Sequence, residues 1–259
     1  MKKIDSRKWQ VPEYNVHEFF GKKNTYCILV PVINEGERIM KQLSEMKAYS
    51  KQVDIVIADG GSTDGSMEKS FLKKQGVRAM LTGPKGQSRQ MRIGLSWALR
   101  QGYDGVITID GNHKDNVRVI PKFIKGLDEG YDYLQGSRFI KGGKHIHTPS
   151  DRIFFNRFVI SPILSVAAGK WYTDTPLAFR GYSKAYLLHP EVQPFRDIFV
   201  RYELLFYLTT RANKLQLKSK EIPCIRSYPK GQVPTKIVGW KKVEDMLNIG
   251  KIALGFYNP

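Results

Sequence analysis

Two cysteines in 259 residues, Cys27 and Cys224, are too few for a disulfide framework and lack metal-ligand spacing. Each sits in an apolar run, where a buried thiol is the ordinary state, so a reducing, cytosolic compartment is expected. No stretch approaches the roughly 18 consecutive apolar residues of a spanning helix, and residues 1–10 (MKKIDSRKWQ) contain no apolar leader segment. Neither an integral membrane protein nor a secreted precursor is expected. Acidic residues are also scarce: 24 Asp plus Glu stand against 42 Lys plus Arg, a formal net charge of +18. Solubility asks roughly 2 to 8 charges of a small domain. The surplus therefore predicts an anionic counterpart, which composition leaves open among nucleic acid, an anionic lipid surface and phosphorylated small molecules. With 41% hydrophobic and 25% charged residues, the chain can bury a sizeable core, and disorder is excluded.

Short apolar runs rich in β-branched residues, 26–31 (YCILVP), 53–59 (VDIVIAD) and 105–110 (GVITID), end in Pro or Asp and predict buried strands. Between them lie helix-period segments: 35–48, with Ile39, Leu43 and Met46 on one face, 64–74, and 88–100, with Met91, Leu95 and Leu99. A helix over 117–129 and a strand over 131–139 follow. Alternating strands and helices imply right-handed crossovers and a mainly parallel sheet flanked by helices. Beyond residue 143 the pattern changes. A loop at 142–149 precedes a mostly apolar helix over 152–168, interrupted by Asn156, Arg157 and Pro162; then come a strand at 177–182, a helix at 199–214, a strand at 217–228 and an amphipathic helix at 240–256. With no repeat and no linker, the fold class expected is a single α/β domain.

Ligands of an open parallel sheet bind where loops leave the carboxyl ends of the strands. Polar residues gather there: Pro31-Val32-Ile33-Asn34-Glu35 after the first strand, Asp59-Gly60-Gly61-Ser62-Thr63-Asp64-Gly65 after the second, Asp110-Gly111-Asn112-His113 after the third. Singly, Asn34 or Thr63 is equally a helix cap and Gly60-Gly61 a turn. Together with QGSRFIKGG (135–143), TDTPLAFRGYS (173–183) and RYELLFYL (201–208), they are specific. Over 26–237 the sequence resembles the family 2 glycosyltransferases, and within them the dolichol-phosphate mannose synthases and bacterial polyprenyl-phosphate glycosyltransferases.

The resemblance implies a Rossmann-like GT-A fold at 26–237, with a donor half at about 26–143 and an acceptor half at about 144–237; outside it are expected an N-terminal extension over 1–25 and a terminal amphipathic helix over 238–259. It implies inverting sugar transfer from a nucleotide-sugar with Mg²⁺ or Mn²⁺, and it places Pro31, Glu35 and Asp59 at the nucleotide. Asn34, Asp110 and Arg226 are added to that donor set. Two positions depart from the family pattern: Asp59-Gly60 replaces Asp-Asp, and Asp110-Gly111-Asn112 replaces Asp-x-Asp. An amide oxygen is a weaker, neutral ligand, so Asp110 is the first expected metal ligand and Asn112 the second, with His113, Lys114 or Asp115 available to compensate.

Sugar transfer leaves a diphosphate behind, and its charge must be steadied. Arg138, Lys141, Arg180 and Arg226, with Lys230 and Lys236, sit in loops or at strand ends; planar guanidinium groups bind phosphate in a bidentate way. Arg138 and Arg180 are expected in catalysis. Asp174 matches the family's acceptor-side Asp: it serves as a base if the acceptor is a sugar hydroxyl, and no base is needed if the acceptor is an anionic lipid phosphate. The same residue also reads as a turn cap. Glu203 reads as structural if it meets an Arg such as Arg201 or Arg226.

Polyprenyl phosphate, or another lipid-linked acceptor, is the first expectation, serving cell-surface glycan or lipid assembly; transfer to a glycan hydroxyl is the second. The helices at 152–168 and 240–256 suit a bilayer interface, and equally a core or a contact between copies. With the positive charge, this places the protein peripherally on the inner face of the cell membrane. A nucleic-acid partner is not expected, for want of a Cys/His finger, an aromatic RNP-like strand or helix-turn-helix punctuation. A nicotinamide enzyme would carry Gly-x-Gly-x-x-Gly where this chain has Pro31-Val32-Ile33-Asn34-Glu35.

Overall fold

Ahead of the first expected strand, Asn15–Glu18 forms an edge strand, β1, in the segment that patterning leaves as an extension. The structure, a computed structural model, describes residues 8–230 and 240–259, so Lys236 and the expected boundary at 237/238 lie outside the described residues. The chain divides into two compact units, Met1–His113 with Gln193–Leu204, and Lys114–Val192 with Leu205–Pro259.

In the first unit β1 is followed by β2 (Tyr26–Val32), α1 (Glu37–Met46), β3 (Asp54–Asp59), α2 (Lys69–Lys74), β4 (Val77–Thr82), α3 (Gln87–Arg100) and β5 (Gly105–Thr108). The strand order is β1-β4-β3-β2-β5. All neighbours are parallel except β1, which runs antiparallel to β4. Val30 stands opposite Ile57, and Ile28 opposite Ile107. Every residue of β3 is buried, as befits a strand covered on both faces. Helix α3 packs on β2 and β3. Its Met91, Leu95 and Leu99 are buried, as their spacing predicts.

Strand β4 is absent from the sequence reading because Arg78 interrupts its apolar run. The fold neutralises that charge locally: the Arg78 guanidinium donates to the Tyr103 hydroxyl (2.9 Å) and to Gln101 Oε1 (2.7 Å), and lies 4.6 Å from the centre of the Trp97 ring.

The second unit contains α4 (Ile120–Asp128), β6 (Tyr133–Ser137), β7 (Lys144–Ile146), α5 (Ser150–Phe155), a π-helical turn (Asn156–Ile160), α6 (Ser161–Ala168), β8 (Arg180–Ser183), α7 (Lys184–Leu187), most of α8 (Glu203–Lys214), β9 (Ser219–Pro223), β10 (Ile225–Ser227) and α9 (Trp240–Ala253). Strand β6 lies between antiparallel β8 and parallel β9, while β7 and β10 form a separate parallel pair. Phe123 of α4 stacks on Phe179 at 4.3 Å in this core. The expected strand at 217–228 is thus two strands in different sheets. Pro223 ends the first because it has no N–H to donate, and Cys224 then bridges, donating to Ser137 O (2.8 Å) and accepting from Lys144 N (2.9 Å). The helix expected over 152–168 changes pitch where Asn156, Arg157 and Pro162 interrupt its apolar pattern. No helix among the described residues is long and apolar enough to cross a membrane.

Candidate active site

In the first unit the strand-end loops are laced to each other by side chains. Asp59 Oδ1 accepts from Ser62 N at 2.9 Å, fastening the loop three residues on. Asn34, at a left-handed φ of 47°, accepts from Thr63 N (2.8 Å) through Oδ1, and its own N–H donates to Ser62 Oγ (3.0 Å). Asp64 accepts from Gly36 N (2.7 Å) and from Ser66. Burial pushes the Asp64 carboxyl up, but the donations from Ser66 and Gly36 outweigh it and hold the group below its ordinary value. From α3, Gln90 Nε2 donates to Val32 O (2.8 Å) and Ala58 O (2.7 Å), tying the ends of β2 and β3 together. Gly60, the departure from Asp-Asp, lies in the same crowded place: a Cβ there would stand 3.2 Å from Ile33 Cδ1, 3.2 Å from the Lys85 Cα and 3.3 Å from Gln90 Cδ. A side chain there requires these neighbours to give by a few tenths of an ångström.

Beyond β5, Asp110 and Asn112 are half-buried, with Asn112 Nδ2 3.3 Å from Asp110 Oδ2. A carboxylate and an amide oxygen at one strand end fit the hard-oxygen preference of Mg²⁺ or Mn²⁺, which take few protein ligands and draw the rest from substrate phosphates. The described residues hold no group of three His, Cys, Asp or Glu able to bind a metal alone. Two of the three expected compensators have other partners: His113 Nε2 lies 2.9 Å from Glu45 Oε1, and Asp115 pairs with Arg226. The turn is braced by Gln42 of α1, fully buried, whose Nε2 donates to Asp110 O (2.9 Å) and whose Oε1 accepts from His113 N (2.8 Å). Pro31 is half-buried opposite Ala58, and Glu35 pairs with Arg38 at 2.9 Å. Glu203, read as structural if it meets an Arg, accepts from the backbone N–H groups of Val200 (3.0 Å) and Arg201 (2.6 Å).

In the second unit Arg138 follows β6 and meets Asp174 in a buried fork: Nε to Oδ2 at 2.7 Å, one terminal nitrogen to Oδ1 at 2.8 Å, and the Arg138 backbone N to Oδ2 at 3.0 Å. Asn156 Nδ2 supplies a fourth donation, to Oδ1, at 2.6 Å. The close turn needs Gly143, where a Cβ would fall 2.7 Å from Ser137 O and 2.8 Å from the Arg138 carbonyl carbon. Burial works against the Arg138 charge, yet Asp174 raises its pKa above the ordinary value. Arg226 of β10 is ion-paired to buried Asp115. Around Tyr228 stand Lys114 Nζ at 4.8 Å, Arg152 at 5.4 Å and Arg226 at 5.6 Å from the ring centre. Burial pushes the Tyr228 phenol up, but Arg226, Arg138 and Arg152 outweigh it and bring the pKa below its ordinary value.

Arg180 is a correction. It is fully buried, and its guanidinium donates to the carbonyls of Leu177, Leu205 and Thr175 and to Thr209 Oγ1. It organises the core and offers nothing to a diphosphate. Asp174 likewise departs from the general-base reading, because all four of its strong acceptor positions are occupied. Sequence reasoning missed Gln42, Gln90, Asn156 and Tyr228. The first two carried a signal: each glutamine occupies a core position of an amphipathic helix, where a polar side chain needs partners. Asn156 registered as an interruption. Tyr228 carried none.

These strand-end loops and the arginine–carboxylate fork sit on a sequence that matches Glycosyl transferase family 2 over residues 27–188, more than half of its length, and the chain belongs to that family. Among curated relatives, Glycosyltransferase AglJ of Haloferax volcanii is 26% identical over 61% of this chain and 50% of its own. Polyprenol monophosphomannose synthase of Mycolicibacterium smegmatis is 25% identical over 50% of this chain and 51% of its own. The chain thus spans about half the length of these two relatives. Glucosyl-3-phosphoglycerate synthase from Mycobacterium tuberculosis, solved in complex with phosphoglyceric acid, superposes with a TM-score of 0.64 at 14% identity, over 88% of this chain and 79% of that one. Its complex with Mn²⁺, UDP-glucose and phosphoglyceric acid gives 0.63 at 13% identity, covering 88% and 79%. The fold is of the GT-A type.

Proposed function

We propose that this family 2 glycosyltransferase moves a sugar, with inversion, from a nucleotide-sugar to a polyprenyl phosphate, working peripherally at the inner face of the cell membrane in cell-surface glycan or lipid assembly. The observation that carries the choice of acceptor is the saturation of Asp174. A hydroxyl acceptor needs a base with a free lone pair during attack, whereas a phosphate monoester arrives already ionised. Its oxygen attacks the anomeric carbon, the bond from that carbon to the donor's diphosphate breaks, and the nucleoside diphosphate departs with the electron pair. Lys114, Arg138, Arg152 and Arg226 carry four positive charges against Asp115 and Asp174, the surplus suited to a phosphate. Supporting relatives include the M. smegmatis polyprenol monophosphomannose synthase and the Undecaprenyl-phosphate mannosyltransferase of Micrococcus luteus.

On the donor side Asp59, Asp110 and the loops after β2 and β3 bind the nucleotide-sugar, and Asp110 with Asn112 holds Mg²⁺ or Mn²⁺. When bound, such a cation neutralises charge on the departing diphosphate. The test is a donor screen with UDP-, GDP- and CMP-sugars, with and without Mn²⁺, offered a polyprenyl phosphate or a glycan. Expected is a sugar-phosphate-lipid product that Asp110→Ala lowers by at least about 10²-fold without unfolding the protein. Transfer confined to the glycan hydroxyl overturns the acceptor assignment, and an Asp110→Ala enzyme with unchanged turnover at saturating Mn²⁺ overturns the metal assignment.

A further inference from the structure

Large apolar side chains are unevenly exposed in this protein. Of the eleven left exposed among the described residues, nine belong to the second unit, and six of those fall between Phe154 and Trp171. Phe154, Phe155 and Phe158 are 56%, 51% and 66% exposed, and Val166 and Trp171 are 79% and 62% exposed. The phenylalanines touch one another, with ring centres 5.9 Å apart for Phe154 and Phe155 and 5.3 Å for Phe154 and Phe158, so they form one patch. Helix α9, packed on α6, exposes Leu247, and Leu254 just past its end is exposed as well. A patch of this kind in water marks an interaction surface.

Its surroundings select the occupant. From residue 141 to 171 the chain carries five basic residues, Lys141, Lys144, Arg152, Arg157 and Lys170, against the single acidic Asp151. Aromatic rings flanked by Lys and Arg are the composition of segments that lie in a bilayer interface, the rings among the acyl chains and the cations at anionic headgroups. A second copy of this chain would set the same five cations against themselves. We propose that Phe154, Phe155 and Phe158 enter the interface of an anionic bilayer, with the surrounding cations on its phosphates. The inner side of the same helical stretch carries Asn156, bonded to Asp174, which in turn holds Arg138. A lipid-borne phosphate would therefore arrive beside the residues that fix the arginine. This surface deepens the acceptor reading above and depends on it only in preferring a bilayer, since vesicle binding is read without any transfer.

The experiment is flotation of the full chain with phosphatidylcholine vesicles, with and without phosphatidylglycerol. Wild type should float with phosphatidylglycerol vesicles at low salt, and the double variant Phe154→Ser/Phe158→Ser should bind at least about tenfold more weakly with an unchanged melting curve. In a second variant, Phe158→Trp, the new indole should shift its emission to the blue when the vesicles are added. Equal flotation of wild type and the serine variant, no flotation of wild type, or no emission shift overturns the proposal. So does a wild-type dimer in sedimentation that the serine substitutions convert to monomer without any change in vesicle binding. Loss of flotation in the serine variant, in a protein whose wild type never glycosylates a polyprenyl phosphate, keeps the surface and removes the acceptor. Transfer to a short, soluble polyprenyl phosphate with flotation indifferent to the substitutions does the reverse.

Discussion

Asn156 and Asp174 are separated by 18 positions in the chain and by 2.6 Å between amide nitrogen and carboxylate oxygen. The contact makes the helical segment a brace for a buried ion pair: Asn156 orients the carboxylate, and the carboxylate orients Arg138 along two edges. Ser161 completes the brace, donating to Asn156 Oδ1 at 2.7 Å and accepting from Thr175 N at 3.0 Å.

Removing one charge from this pair is therefore expected to cost more stability than removing both. Asp174→Asn leaves Arg138 buried and uncompensated, and breaking a buried pair costs about 3–5 kcal/mol. The double variant Asp174→Leu/Arg138→Met should recover most of that loss. Urea unfolding of the wild type, both single variants and the double variant gives the comparison; a double variant no more stable than Asp174→Asn contradicts it.

Gln42→Leu tests the brace on the turn after β5. Leucine nearly fills the space but leaves the His113 N–H and the Asp110 carbonyl without their Gln42 partner, a cost of about 1–3 kcal/mol. Because the turn carries Asp110 and Asn112, KM for the nucleotide-sugar should rise several-fold while kcat at saturating donor changes less. An unchanged KM would show that the turn keeps its shape without Gln42.

Glu221 gives a pH dependence. Burial raises its pKa above the ordinary 4.5, against the donations from Thr173 that lower it. The folded state then holds a proton that the unfolded chain has released, so this group's contribution to stability is present below pH 4.5 and is lost as pH climbs to the raised folded value. Denaturation at several pH values from 4.5 upward should show a decline that Glu221→Gln flattens. Parallel curves for the two proteins would refute it.

Much of the first unit was legible because its code is local. An apolar run ending in Pro31, Asp59 or Asp110 states both the strand and the polar end where ligands bind. Strand β4 was not legible, since Arg78 acquires its partners Gln101 and Tyr103 only through the fold. The roles of arginines in the second unit were equally opaque to sequence. Arg138 and Arg180 both follow a glycine- or aromatic-bearing motif, yet one ends a strand beside a carboxylate while the other fills the core with its charge spread over carbonyls. Guanidinium chemistry is the same in each case, and long-range packing decides the use. Asp174 illustrates the same limit, because its four donors come from two residues that no spacing rule connects to it.

The π turn at Asn156–Ile160 has a consequence for what this segment can tolerate. Such a turn holds one residue more than an α-helical turn, and each α-helical residue accounts for about 100° of rotation. Excising one residue there would produce a more regular helix and a poorer protein: Phe158 could keep its outward direction or Ser161 its inward one, but not both. Side chains along 150–168 can be exchanged for others of similar character, whereas the number of residues in the segment is fixed by the two environments it separates.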